Sequence, residues 1–277
     1  MIIYIIQISK TMERSLEVVT TYNKKYYDIC GKKMIETFIK YWPKDVHLYA
    51  YWQQQEPEIF ADNVHYIDLY QQNPHLQRFV FDNQLDEAKN GIVKGKYDFQ
   101  RDGVKFSHKV FAQTHRIKNT TADVLLYLDA DTYTHTTPNL EYIDSILPED
   151  HLCTYFGRPR LYDETGFYMH NPKHYKAIVW ADALEKIYTE GELWTYPLQV
   201  DCYTMYAGRQ KFKDEKQLDL VEHHGALGKK HPFLNSPLGE FLDHLKGDRK
   251  ELGHSRQSDF KENENENVNL KQEVLDI

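Results

Sequence analysis

Cysteine is scarce: Cys30, Cys153 and Cys202 are the only three in 277 residues. Their odd number and wide spacing exclude a disulfide framework or a cysteine metal site. A reducing compartment is the simpler home, and the expected location is the cytoplasm, or the host cytoplasm for a viral protein. Basic charge is also short. The formal net charge of -8 leaves no global positive field to gather nucleic acid, so only a local basic groove stays open. No apolar run reaches the roughly 20 residues of a membrane span. Met1-Ile2-Ile3-Tyr4-Ile5-Ile6-Gln7-Ile8 lacks a basic leader and a small-residue cleavage site, so it reads as a strand of a soluble protein. No glycine-rich phosphate loop follows the first long strand, which disfavours classical dinucleotide or P-loop binding. Aromatic residues, by contrast, are plentiful at 14%, with 21 Tyr, whose flat faces and polar tips suit sugars and bases but also pack ordinary cores.

The length suits one large domain. Leu16 to Asn23 reads as a strand, Lys24 to Trp42 as a helix stopped before Pro43, and Val46 to Tyr51 as a second strand, giving a βαβ opening. In such a unit a nucleotide sits at the end of the first strand, where Thr20, Thr21 and Tyr22 would line it. Asn63 to Leu69 reads as a third strand. Tyr70 to Arg101 is weakly periodic and reads as a mobile excursion over the sheet edge. Gly103 to Lys118 has helical spacing, with Arg101, Lys105 and Lys109 on neighbouring turns, facing either a phosphate or solvent.

That helix leads into Ala122-Asp123-Val124-Leu125-Leu126-Tyr127-Leu128-Asp129-Ala130-Asp131-Thr132, a buried-strand pattern that ends in two carboxylates. Ligands of open α/β sheets bind beyond the carboxyl ends of strands, and two such acids repel each other unless a cation lies between them. The plainer alternative is a strand followed by a polar, capping turn. Further along, Thr137 to Ile146 is expected to be a helix, His151 to Gly157 a strand, and Glu164 to Pro172 a strand in which Gly166 marks a close backbone approach. Lys173 to Glu190 is expected to be a helix. Trp194 to Tyr206 is an apolar run in which Asp201 either points into a pocket or sits at a helix N-terminus. Leu218 to Val221 is expected to be a short strand. The loop from Glu222 to Phe233 then gathers histidine, glycine and lysine, a set that can offer imidazole to a metal and cations to phosphate. Asn235 to Leu245 is expected to be a helix and Lys246 to Lys250 a basic turn. The Lys261 to Asn267 repeat has low complexity and is expected to be disordered.

Taken in order, these features resemble the nucleotide-sugar glycosyltransferases of the GT-A fold, of the glycogenin and bacterial galactosyltransferase type. The resemblance rests on Leu125 to Asp131, which looks like that family's Asp-x-Asp motif, and on Val104 to Ala112 of the preceding helix. Glu164 to Phe167, Leu198 to Asp201, and His224 with Gly228, Lys229, Lys230, Pro232 and Phe233 complete it. The last group looks like the family's His-x-x-Gly-x-x-Lys-Pro-Trp loop, one residue too long and with Phe233 in place of Trp. The acid-bearing block and the segment from Asn235 to Ser255 also look like small glycosyltransferases of tailed bacteriophages.

The resemblance implies an α/β, GT-A fold: a single Rossmann-like domain with a mixed, mainly parallel central sheet flanked by helices. Its catalytic domain would span residues 1 to 245, with a nucleotide-binding half to about 132 and an acceptor half after it, followed by a C-terminal extension over 246 to 277. It implies transfer of a sugar from a nucleoside-diphosphate sugar, expected to be a UDP-sugar, assisted by Mn2+ or Mg2+. Asp131 and His224 would bind the metal, and Asp129 would be shared between metal and sugar or ribose. Lys229 or Lys230 would stabilise the departing phosphate, and Lys109, with Lys105 or Arg101, would contact the donor. Glu164 and Asp201 would bind sugar hydroxyls, orient the acceptor or take its proton, so retention and inversion both stay open. The acceptor is a glycan or, against the acidic charge, a modified DNA base touched by Lys246 to Lys250 and Arg256. An Asp-x-Asp phosphatase or phosphotransferase and an inactive sugar-binding protein are the competing readings, and oligomeric state is not legible.

Overall fold

The structure is a computed structural model that describes residues 14–54, 57–158, 162–224, 231, 232 and 234–259. The predicted strand at Met1 to Ile8 and the repeat at Lys261 to Asn267 lie outside these residues.

The strands are β1 (Leu16–Asn23), β2 (His47–Gln53), β3 (Val64–Asp68), the short hairpin β4 (Ile92–Val93) and β5 (Lys96–Tyr97), β6 (Val124–Leu128), β7 (Thr132–Thr134), β8 (Cys153–Phe156), β9 (Glu164–His170), β10 (Gln217–Asp219) and β11 (Leu242–His244). Seven of them form one sheet in the order β10-β8-β9-β6-β1-β2-β3. All its pairs are parallel except those of β9, which runs antiparallel to both β6 and β8. The expected mixed, mainly parallel sheet is therefore present.

Helices cover both faces of the sheet. They are α1 (Lys24–Tyr26), α2 (Lys32–Tyr41), α3 (Leu69–Gln72), α4 (Pro74–Asn83), α5 (Gly103–Asn119), α6 (Leu140–Ser145), α7 (Ala177–Thr189), α8 (Asp201–Lys211), α9 (Leu220–His223) and α10 (Arg249–Leu252). Alternation along β6 divides the core in two. Leu126 and Leu128 pack with Val18, Leu48 and Phe38 on one side, whereas Leu125 and Tyr127 pack with Val19, Phe111 and Trp180 on the other. Every residue of β6 is buried, which is why its sequence is a continuous apolar run.

Several expectations change in detail. The helix expected over Lys24 to Trp42 is interrupted by a π-helical turn, Tyr27–Gly31, which widens its first turns where Tyr26 and Cys30 face the site described below. The stretch expected to be a mobile excursion is built of α3, α4 and the hairpin, because Leu76 and Phe79 of α4 bury themselves in the α5 and α7 core. The helix expected over Asn235 to Leu245 is instead a 3-10 turn, Pro237–Glu240, followed by β11. Pro237 and Gly239 prevent a continuous helix, and Leu242, Asp243 and His244 pair antiparallel with Thr134, Tyr133 and Thr132 of β7.

Candidate active site

The chain leaves β6 at Leu128 and turns at once, with Thr132 N donating to Asp129 O at 2.9 Å. The turn projects Asp129 and Asp131 beyond the strand end. Asp129 N donates to Gly166 O of β9 at 3.0 Å, and Leu245 N donates to Asp131 O at 2.9 Å. The pair is thus fixed from both sides by backbone.

Three elements bring groups to these acids. From α5, whose N-terminus is capped by Asp102, Lys109 reaches Asp129 Oδ1 and Asp201 Oδ2, each at 2.7 Å, and also donates to Thr165 Oγ1 at 3.2 Å. Burial alone would push this ammonium down, but Asp129 and then Asp201 raise it, so it stays charged. From β11, His244 Nε2 lies 3.0 Å from Asp131 Oδ1 and 3.7 Å from Asp129 Oδ2. From α10, Lys250 Nζ lies 2.6 Å from Asp131 Oδ2. Burial works to raise the Asp131 carboxyl, yet His244 and Lys250 hold it well below the usual carboxylate range.

Asp129, Asp131 and His244 each present a ligand atom, all within 4.8 Å of one another. Asp131 Oδ1 is buried without an aligned hydrogen bond despite its closeness to His244. Ligands on adjacent corners of an octahedron with bonds of about 2.1 Å stand about 3 Å apart, so the geometry fits a divalent cation.

The acids open onto a cavity of about 480 Å3. Thr21, Tyr22, Gln53, Lys105, Lys109 and Lys250 are among its lining residues. Lys105 Nζ lies 3.3 Å from Tyr26 OH, which shares that wall. Thr20 is fully buried and does not line the cavity, and Arg101 turns to Gln199 Oε1 at 3.2 Å rather than to the cavity.

On the other side of the acids, Glu164 opens β9 and Asp201 opens α8. Asp201 Oδ2 accepts from Thr165 Oγ1 at 2.5 Å as well as from Lys109. Glu164 pairs with Lys246, accepts from Gly166 N at 3.2 Å and lies 3.4 Å from Arg158. Burial would raise its carboxyl, but Lys246, His244 and Arg158 bring it down to about 2.

His224, expected as the third metal ligand, is elsewhere: its Nε2 pairs with Tyr142 OH at 2.8 Å, and the cluster takes His244 in its place. The physical reason is the β7–β11 pairing, which delivers the later histidine. Lys229 and Lys230 lie outside the described residues. Sequence reasoning missed His244, and it gave Lys246 and Lys250 to a DNA acceptor, whereas the structure sets them against Glu164 and Asp131. A signal was present, because His244-Leu245-Lys246-Gly247-Asp248-Arg249-Lys250 has the spacing His-x-x-Gly-x-x-Lys without the extra residue of the earlier loop. Gly247 has φ +59, a conformation that favours glycine. Gly166 also has its reason: a Cβ there would stand 2.3 Å from His244 Cε1.

No family model and no curated protein matches the sequence. Among solved structures, the chain is similar to the apo form of mouse xyloside xylosyltransferase 1, with a TM-score of 0.47 and 11% identity over 74% of this chain and 84% of that one.

Proposed function

We propose that this chain is a metal-dependent glycosyltransferase of the GT-A type, moving a sugar from a nucleoside-diphosphate sugar, a UDP-sugar first, to an acceptor hydroxyl. The observation that carries this reading is the meeting of Asp129, Asp131, His244, Lys109 and Lys250 at one strand end beside the cavity. Asp129, Asp131 and His244 would hold the divalent ion, which would supply Lewis-acid neutralisation of the diphosphate leaving group.

The chain's own residues do the rest. Thr21, Tyr22 and Tyr26 form the wall for base and ribose. Lys105 stands in the same cavity with its ammonium among phenols. Lys250 brings a positive charge to the mouth of the diphosphate site and can exchange its contact with Asp131 for phosphate oxygens as the donor enters. Lys109 ties Asp129 to Asp201, so the donor-side acid and the acid at the N-terminus of α8 move as one unit. Asp201, joined to Lys109 and Thr165, orients sugar hydroxyls. Glu164, held ionised by Lys246, is a weak base and serves better as a hydroxyl acceptor.

The test is release of nucleotide from a panel of nucleotide sugars with and without Mn2+. Asp131→Asn is expected to lower Mn2+-dependent release at least 100-fold, and His244→Ala by a similar factor. Unchanged turnover in Asp131→Asn would refute the assignment.

A further inference from the structure

Tyr127 stands two residues before Asp129, so both side chains leave the chain on the side of the sheet that α5 packs. The tyrosine ring is buried, and its hydroxyl donates to Asp129 Oδ1 at 3.1 Å. The same oxygen takes Lys109 Nζ at 2.7 Å. A carboxylate oxygen has two lone-pair sites, so these two bonds fill Oδ1. Lys109 is filled as well. An ammonium has three donors, and they go to Asp129 Oδ1, to Asp201 Oδ2 at 2.7 Å and to Thr165 Oγ1 at 3.2 Å. Its Nζ also lies 5.1 Å from the centroid of the Tyr127 ring. One side chain therefore holds the acid with its hydroxyl and the acid's counter-ion with its face. Asp129 Oδ2 points the other way, 3.7 Å from His244 Nε2, a separation longer than a hydrogen bond.

We propose that Tyr127 is a positioning residue of this site: with Lys109 it closes Asp129 Oδ1, so that Asp129 offers the divalent ion one oxygen, Oδ2, in a fixed direction. The inference rests on the metal-dependent reading above. A carboxylate without such restraint turns about its Cβ–Cγ bond, and can meet an ion with both oxygens or swing away from it. Two bonds to one oxygen, from β6 and from α5, stop that rotation. The closure also sets what the donor meets. With Oδ1 and all three Lys109 protons engaged, neither group reaches for phosphate while the bracket holds, and that contact falls to Lys250. Groups that orient a metal ligand in this way contribute about 10–100-fold to metal affinity.

Calorimetric titration of Mn2+ into the full chain, without nucleotide, tests this on Tyr127→Phe, which keeps the buried ring beneath Lys109 and removes only the hydroxyl. Mn2+ is expected to bind at least fivefold more weakly, with an unchanged far-UV circular dichroism spectrum. Leu125→Val is the packing control, because Leu125 lies on the same face of β6 in the same core but does not line the cavity. It should lower the melting temperature by a few degrees and leave Mn2+ affinity within twofold. Equal or tighter Mn2+ binding by Tyr127→Phe overturns the proposal. So does an equal loss in Leu125→Val, which would make the effect one of packing, and so does an absence of Mn2+ binding by the unaltered chain. The titration needs no donor, so the two readings fail separately. Tyr127-dependent Mn2+ binding without nucleotide release from any nucleotide sugar would refute glycosyl transfer alone. Mn2+-dependent release with Mn2+ affinity unmoved in Tyr127→Phe would refute the positioning role alone.

Discussion

His244 owes its position to Gly166, which has no side chain to compete for the space that the imidazole fills. A methyl group there would overlap the ring at 2.3 Å, and β9 cannot yield because it is hydrogen-bonded between β6 and β8. Gly166→Ala is therefore expected to displace His244 from Asp131, lowering nucleotide release at least tenfold. The overpacking should cost about 1–3 kcal/mol of stability, measured by urea denaturation. Lys250 predicts a different pattern. It touches one acid from an exposed helix, so Lys250→Ala should raise the donor KM at least tenfold with little change in stability, and Lys250→Arg should recover part of the loss. Steady-state kinetics on the two variants would show it, and an unaltered donor KM in the alanine variant would argue against phosphate contact.

At the scale of the element, β9 is the one reversed strand of the sheet, and every one of its residues is buried. Its last residue, His170, is locked in one neutral form. Trp180 Nε1 donates to His170 Nδ1 at 3.3 Å, and the other ring nitrogen pairs with Gln113 Oε1 at 2.9 Å. Burial pushes this imidazole down to about 3 from 6.5. The unfolded chain takes up the proton first, so stability is full above about pH 6.5 and drains away as pH falls towards 3. Between pH 7.5 and pH 5 the group should cost about 2 kcal/mol, seen as the difference in urea stability between the unaltered chain and His170→Gln. Elements such as β1, β2, β6 and α5 were legible in the sequence because their own period and burial dictate them. β11 was not. A three-residue strand beside a proline and a glycine carries no local pattern, and it forms only because β7, 110 residues earlier, supplies the partner. The two acids could be read from the end of an apolar run. The histidine beside them was passed over for His224, although His244 to Lys250 carried the cleaner spacing, because what brings His244 to the acids is the long-range pairing of β11 with β7.

At the scale of the whole molecule, the segment after β11 folds back across the site instead of extending the core. Lys246 pairs with Glu164, Lys250 with Asp131, Lys33 Nζ donates to Gly253 O at 2.7 Å, and Arg249 pairs with Asp259. Yet α10 buries none of its residues, whereas Leu242 and Leu245 are buried. Among the described residues, stability and chemistry are thus divided along the chain: Leu242 and Leu245 complete the packing, and Lys246 and Lys250 bring charge to the acids. A chain ended after Leu245 should keep its fold, with a far-UV circular dichroism spectrum like that of the full chain. Losing Lys246 and Lys250 leaves the buried Glu164 and the largely buried Asp131 carboxylates short of a partner, a cost above the roughly 1 kcal/mol of an exposed pair, so its melting temperature should fall by about 10 °C. It should still bind Mn2+ through Asp129, Asp131 and His244, because all three remain, but release nucleotide at least tenfold more slowly. Calorimetry with Mn2+ and the nucleotide-release assay, run on the same preparation, separate these outcomes. Collapse of the fold would place the segment in the core after all, and full activity would remove Lys246 and Lys250 from the machinery.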